Sequence, residues 1–133
     1  MDVERLRRLP LFGELDHHDL SQLMRWVHEV EFADGHLLFE QGSMPYDLFV
    51  IEEGSVEVVR DGRSVATLGP GEIVGERALL KLERRWASVV AVGHIHVVAL
   101  SADDLTEMSE EMPELADRLR ETMGRREREN DTY

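Results

Sequence analysis

The chain has 133 residues, with 15 basic against 28 acidic side chains for a net charge of -13, 42% apolar residues and no cysteine. That length suits a single domain spanning 1–133, and the missing cysteines exclude a disulfide scaffold, thiolate metal sites and thiol catalysis. So acidic a surface repels phosphate backbones and anionic lipid, so neither nucleic acid nor membrane is an expected partner, and any bound anion needs a local cluster of donors.

The chain opens helically over 1–29. Asp16 can cap a helix with Asp19 three residues on, and Leu15, Leu20, Leu23, Met24 and Val27 recur at three- and four-residue steps, which predicts a helix ending near Trp26 to Glu29. The start leads into no secretory signal, and no apolar run approaches the roughly 20 residues needed to span a bilayer; the expected location is cytoplasmic.

From Val30 to Ser101 short apolar runs alternate with turn residues: Leu37 to Phe39, Leu48 to Ile51, Val56 to Val59, Val65 to Leu68, Ala87 to Val92 and Ile95 to Leu100. Asp61-Gly62 between two β-branched runs is a hairpin signal, because a tight primed turn needs positive φ at both positions. About eight short strands separated by such turns predict a mostly β fold with flanking helices, an eight-stranded β-roll of the jelly-roll kind over 30–101.

Helix returns over 102–129. Ser101 is an N-cap with Asp104 three residues on, Pro113 opens a further segment with Leu115, Leu119 and Met123 on one face, and the polar stretch from Gly124 to Tyr133 is expected to fray.

Chemistry concentrates between Gly69 and Val89. Arg77, Lys81, Arg84 and Arg85 crowd into nine positions of an acidic chain, which makes this the expected place for an anion. Gly75 and Glu76 would sit at the mouth of a short helix whose free amides favour phosphate. Arg85 can make a two-pronged contact to phosphate oxygens, and Ser88 can add a hydroxyl. Glu76 beside an anion makes sense if the ligand also carries a hydroxyl donor such as that of a ribose.

This stretch resembles the phosphate-binding cassette of cyclic nucleotide-binding domains, through Gly75-Glu76-Arg77-Ala78 and Arg85-Trp86-Ala87-Ser88-Val89, with Glu76 and Arg85 nine positions apart. Leu9-Pro10-Leu11-Phe12, Glu40-Gln41-Gly42, the segment Val50 to Val58 and Leu68 to Glu72 are similar to the family's other recurring segments. The resemblance implies that Arg85 pairs with the cyclic phosphate and Glu76 accepts from the ribose 2′-hydroxyl. It further implies that amides around Gly75, Arg77 and Ala78 complete the cradle, while Ala87 and Ser88 line the phosphate and base side. The helices after the roll would act as a moving lid, with Leu105, Met108, Met112 or Leu115 available to cover the base.

Arg77 stands where the family usually has an apolar residue. Trp86 stands where a small or hydroxylated residue usually follows the arginine; it supplies no hydroxyl for guanine and offers a stacking face, which favours cAMP over cGMP as the ligand. The resulting expectation is a non-catalytic cAMP sensor without cofactor or metal, signalling to an unidentified effector protein. Two other readings use the same residues: a docking module in which Trp86 fills the pocket, and a cupin-like metalloenzyme with His94 and His96 as ligands. Asp16-His17-His18-Asp19 is read as helix capping, His94 and His96 as facing solvent, and Arg125, Arg126 and Arg128 as a solvated helix end.

Overall fold

The structure is a computed structural model that describes the backbone of residues 1–130 and the side chains of 1–125. Five helices and six strands follow one another as α1 (Val3–Arg7), α2 (His17–Leu23), β1 (His28–Phe32), β2 (Leu37–Phe39), β3 (Asp47–Arg60), β4 (Arg63–Leu68), β5 (Ile73–Val74), α3 (Glu76–Lys81), β6 (Ser88–Ser101), α4 (Ala102–Glu111) and α5 (Pro113–Asn130). The sheet is antiparallel, in the order β1-β6-β3-β4, with β2 added to β6 and β5 added to β3.

Mostly β with flanking helices is the architecture expected. The roughly eight short strands expected are six among the described residues, because two pairs fuse. Leu48 to Ile51 and Val56 to Val59 are the halves of β3, and the runs on either side of Gly93 are the halves of β6. The bend between halves is set by register shifts from Ile51 to Ser55 and by Gly54 at φ +89°, where a Cβ would meet Ile95 Cγ2 at 2.7 Å and the His94 carbonyl at 2.8 Å. The roll thus curves where the β3–β6 ladder is locally interrupted, while both strands continue through the bend.

Successive side chains on a strand point to opposite faces, and the two long strands bury both. Leu48 and Val50 of β3 with Val98 and Leu100 of β6 face a helical core containing Leu6, Phe12, Leu20, Leu105, Met108, Leu115, Leu119 and Met123. Phe49 and Ile51 with Val97 and Ala99 face the interior of the roll. Burial on both sides is the reason these segments read as continuous apolar runs.

Local chemistry sets the boundaries. Asp61 at φ +51° and Gly62 at φ +78° close the β3–β4 hairpin between Arg60 and Arg63, the primed turn expected. The Asp16 carboxylate accepts from the Asp19 N–H at 2.8 Å and starts α2, which ends at Leu23, earlier than the periodicity predicts, because the chain turns to enter β1 at His28. Ser101 and Asp104 form a reciprocal capping box at 2.9 and 3.0 Å. Pro113 opens α5, which runs to Asn130. The side chains of Arg126 and Arg128 and all of residues 131–133 lie outside the described residues. No helix among the described residues is long and apolar enough to cross a membrane.

Candidate functional site

Gly75 sits between β5 and α3 at φ +86°, ψ 2°, a left-handed conformation that glycine adopts without steric cost. Glu76 follows, wholly buried, and α3 ends at Leu82, itself left-handed at φ +54°. The chain then runs back beside the turn after β2: the Gly42 N–H donates to the Arg85 carbonyl and the Arg85 N–H to the Ser43 carbonyl, both at 2.8 Å. Arg84 Nη1 adds a bond to the Gly42 carbonyl at 3.0 Å.

This zipper fixes the main chain of Arg85 and sends its side chain inward, where the residue is only 4% exposed. Nη1 donates to the Gly75 carbonyl at 2.8 Å, Nη2 donates to the Asp47 carbonyl, and the guanidinium carbon lies 4.0 Å over the Phe39 ring. Nε is buried with no hydrogen-bond acceptor among the described residues. The cation is therefore held by carbonyl dipoles and a ring face, with no carboxylate salt bridge among the described residues. Burial pushes the Arg85 pKa down to about 10, opposed by the nearby Asp47 charge, so it is still a cation at neutral pH. Burial likewise raises the Asp47 carboxyl, against the pull of Arg85. A desolvated cation with an unused donor is a strong acceptor site for an anion.

Beside it is a cavity of about 100 Å³ lined by Phe39, Gly75, Arg77, Ala78, Glu83, Arg84, Arg85, Trp86, Ala87 and Val89. Six of the eight residues singled out in the sequence thus meet at one wall. Glu76 lies buried at the start of α3, outside the lining, and Ser88 falls between the lining residues Ala87 and Val89, with its Oγ accepting from the Gln41 N–H at 2.9 Å. Ser88 therefore shapes the loop beneath the cavity. Trp86, one of the lining residues, is 46% exposed with Arg60 stacked 4.1 Å over its ring.

Among the described side chains, none of α4 or α5 lines the cavity, and Leu105, Met108 and Leu115, the candidates for covering the base, are 5%, 0% and 1% exposed in the helical core. What the helices do touch is α3: Leu79 belongs to the same buried cluster as Leu119 and Met123, and α3 packs against α5.

The histidines are accounted for elsewhere. His96 does not face solvent: its side chain is 14% exposed, with Nδ1 beside Glu52 and Nε2 3.3 Å from Glu29. Those three could hold a metal, but Arg5 already bonds both carboxylates and supplies the cation. His94 lies 3.7 Å from Glu31 and is exposed. Asp16 caps α2, and Asp19 grips Arg118. Phe39 and Asp47 are the residues sequence reasoning missed; Asp47 acts through its main-chain carbonyl, which any residue would supply, and through its nearby charge, which only a carboxylate gives.

Comparison with known proteins fits this geometry. The family model described as the cyclic nucleotide-binding domain matches residues 29–112. The chain is 32% identical over 127 residues to the cyclic AMP receptor protein of Thermus thermophilus, covering 92% of this chain and 59% of that protein. The N-terminal domain of a transcriptional regulator from Streptomyces coelicolor A3(2) superposes with a TM-score of 0.78 at 36% identity, covering 98% of this chain and 93% of that one. The regulatory subunit of a cAMP-independent protein kinase A from Trypanosoma brucei gives a TM-score of 0.81 at 25% identity, covering 95% and 44%. The chain spans less than two-thirds of the curated relatives it matches first. With the family model covering most of the roll and α4, and a buried arginine at the cassette position, the chain belongs to the cyclic nucleotide-binding domain family.

Proposed function

We propose that this chain is a non-catalytic sensor that binds cAMP in preference to cGMP at the cavity beside Arg85 and passes the binding event to α5. The observation that carries the reading is the Arg85 guanidinium, buried on two carbonyls and a phenyl ring with Nε unmatched. A cyclic phosphate would give that nitrogen its acceptor and neutralise a cation that burial disfavours. Glu76, wholly buried at the head of α3, would accept from the ribose hydroxyl, and the main chain around Gly75, Arg77 and Ala78 would close round the phosphate. Trp86 supplies no hydroxyl to guanine, which favours adenine.

Fold alone does not choose the ligand, since the relatives include a receptor named for cyclic AMP and a kinase regulatory subunit described as cAMP-independent. The local chemistry does the choosing. A cavity of about 100 Å³ is below the roughly 300–1,000 Å³ of ordinary small-molecule sites, so entry of a nucleotide requires α3 and the 82–86 segment to move. Because Leu79 is packed with Leu119 and Met123, α3 cannot shift without repacking α5. The signal then reaches an effector protein through the C-terminal helices. The acidic charge of the chain and the ion-paired arginines of α5 disfavour nucleic acid as the direct target of these residues.

Thermal denaturation with cAMP, cGMP and no nucleotide tests the reading. A ligand at about 100 times its dissociation constant adds about 2.7 kcal/mol of stability. The expected result is a larger upward shift with cAMP than with cGMP; unshifted melting with both at millimolar concentration would replace this reading with a ligand-independent docking role.

A further inference from the structure

Arg85 stays charged in a place where no carboxylate bonds it. Two carbonyls take Nη1 and Nη2, and the guanidinium carbon lies 4.0 Å over the Phe39 ring. Asp47 offers its charge from nearby, without a salt bridge among the described residues. Phe39 is the last residue of β2, where it pairs with Val89 of β6, and it lines the cavity. Its ring is one of a series. It stacks on Phe49 with centroids 6.4 Å apart and planes 16° apart. Phe49, 6% exposed, meets Phe32 edge-on at 5.9 Å and 80°, and Phe32 stacks on His36 at 4.4 Å and 13°. A ladder of four rings therefore runs from the guanidinium past the interior cluster of the roll to the turn between β1 and β2.

We infer that Phe39 is the positioning residue of the anion site: its ring face stabilises and orients the Arg85 guanidinium before the ligand arrives, and the ring ladder holds Phe39 in place. The inference rests on the cyclic nucleotide reading and adds to it the group that keeps the arginine ready. A carboxylate bonded to Arg85 would hold the cation by consuming its N–H groups and cancelling its charge, which leaves less for an anion. The quadrupole of a ring attracts the cation without taking an N–H, and Nε is left without an acceptor. Such contacts are strongest where water is excluded, and Arg85 is 4% exposed. An aliphatic side chain of similar size would fill the same space and supply none of that attraction. Because the ring acts through Arg85, its contribution belongs to the phosphate and is equal for every base the ligand carries.

Calorimetric titration of cAMP and 3′,5′-cyclic CMP tests this, in proteins first shown to melt cooperatively. The proteins are wild type, Phe39→Leu, a variant with pentafluorophenylalanine in place of Phe39, Arg85→Ala and the Phe39→Leu/Arg85→Ala double variant. Phe39→Leu is expected to weaken both nucleotides about tenfold or more and by the same factor. The fluorinated ring keeps an aromatic side chain there and reverses the sign of its face, so it should weaken them too, and it decides the matter if Phe39→Leu does not fold. In the Arg85→Ala background Phe39→Leu should add nothing, which a merely structural role would not produce. A fluorinated variant that binds cAMP as tightly as wild type overturns the inference, because the ring then only fills space. Unequal losses for the two nucleotides overturn it in favour of a contact with the base, and a further loss in the Arg85→Ala background in favour of a role apart from the arginine. Each of those results leaves the sensor reading intact, whereas a wild type that binds neither nucleotide overturns both.

Discussion

A methyl group on Gly75 would lie 2.6 Å from Nη1 of Arg85, the same nitrogen that donates to the Gly75 carbonyl at 2.8 Å. Backbone shape and cation position are thus one constraint. Phe39 Cε1 and the Asp47 carbonyl, each 3.1 Å from the same point, crowd the added carbon further. Gly75→Ala should cost about 1–2 kcal/mol for the left-handed backbone alone and should also lower cAMP affinity about tenfold or more, because Arg85 is displaced. Gly42→Ala is the matched control. It carries the same kind of backbone strain at φ +85°, with nothing within 4 Å of the new carbon. Urea denaturation should show a stability loss for both variants, larger for Gly75→Ala because of its added contacts, and calorimetry a large affinity loss only for Gly75→Ala.

The N-terminal and C-terminal helices are fastened by ion pairs. Arg118 of α5 holds Asp19 of α2 with two bonds, Nε to Oδ2 at 2.9 Å and Nη2 to Oδ1 at 2.8 Å, and Asp19 is 7% exposed. Arg125 reaches Glu14, and Arg25 reaches Glu111 of α4 at 3.1 Å. Removing the buried partner of this two-pronged pair, whose Arg118 side chain is half exposed, by Asp19→Ala should cost about 1–2 kcal/mol, whereas the exposed Arg25–Glu111 pair should contribute at most about 1 kcal/mol. If moving α3 repacks α5, Asp19→Ala should also raise cAMP affinity, since it weakens the arrangement that opening must disturb. Paired denaturation and binding curves read both quantities.

Acid stability should carry the signature of Glu29. Its carboxylate accepts from the Met1 amino group and from Arg5 Nη2 at 2.7 Å, which holds its pKa below the ordinary 4.5 despite the opposing effect of partial burial. A carboxyl whose pKa is lower in the folded than in the unfolded chain contributes stability that is present above the unfolded value and is lost as pH falls through the folded one. Urea midpoints measured from about pH 7 to about pH 3 should therefore fall more steeply for wild type than for Glu29→Gln. The two proteins should converge at the acid end.

Much of this architecture could be read from residue types. The Asp61-Gly62 turn, the Ser101/Asp104 capping box and the Pro113 helix start are short-range chemistry, fixed by side chains within a few positions of one another. The cassette residues were legible because glycine, arginine and a carboxylate at set spacing have few other uses together. What stayed hidden depends on long-range packing. Two pairs of apolar runs fuse because their bends are accommodated by register shifts and Gly54, features that look like turns in sequence. Leu105, Met108 and Leu115 read equally well as a lid face or a core face until α2 and α3 are seen packed beside them. Asp47 and Arg60 come to Arg85 and Trp86 only through the pairing of β3 with β6.

The account stands on the buried Arg85 guanidinium as the anchor for a cyclic phosphate. Isothermal titration of cAMP into wild type and Arg85→Ala, each first shown to melt cooperatively, tests it most directly. Losing a buried charge-assisted contact of this kind should cost about 2–4 kcal/mol of binding, a loss of roughly thirtyfold to a thousandfold in affinity. Equal affinity in the two folded proteins would contradict the account.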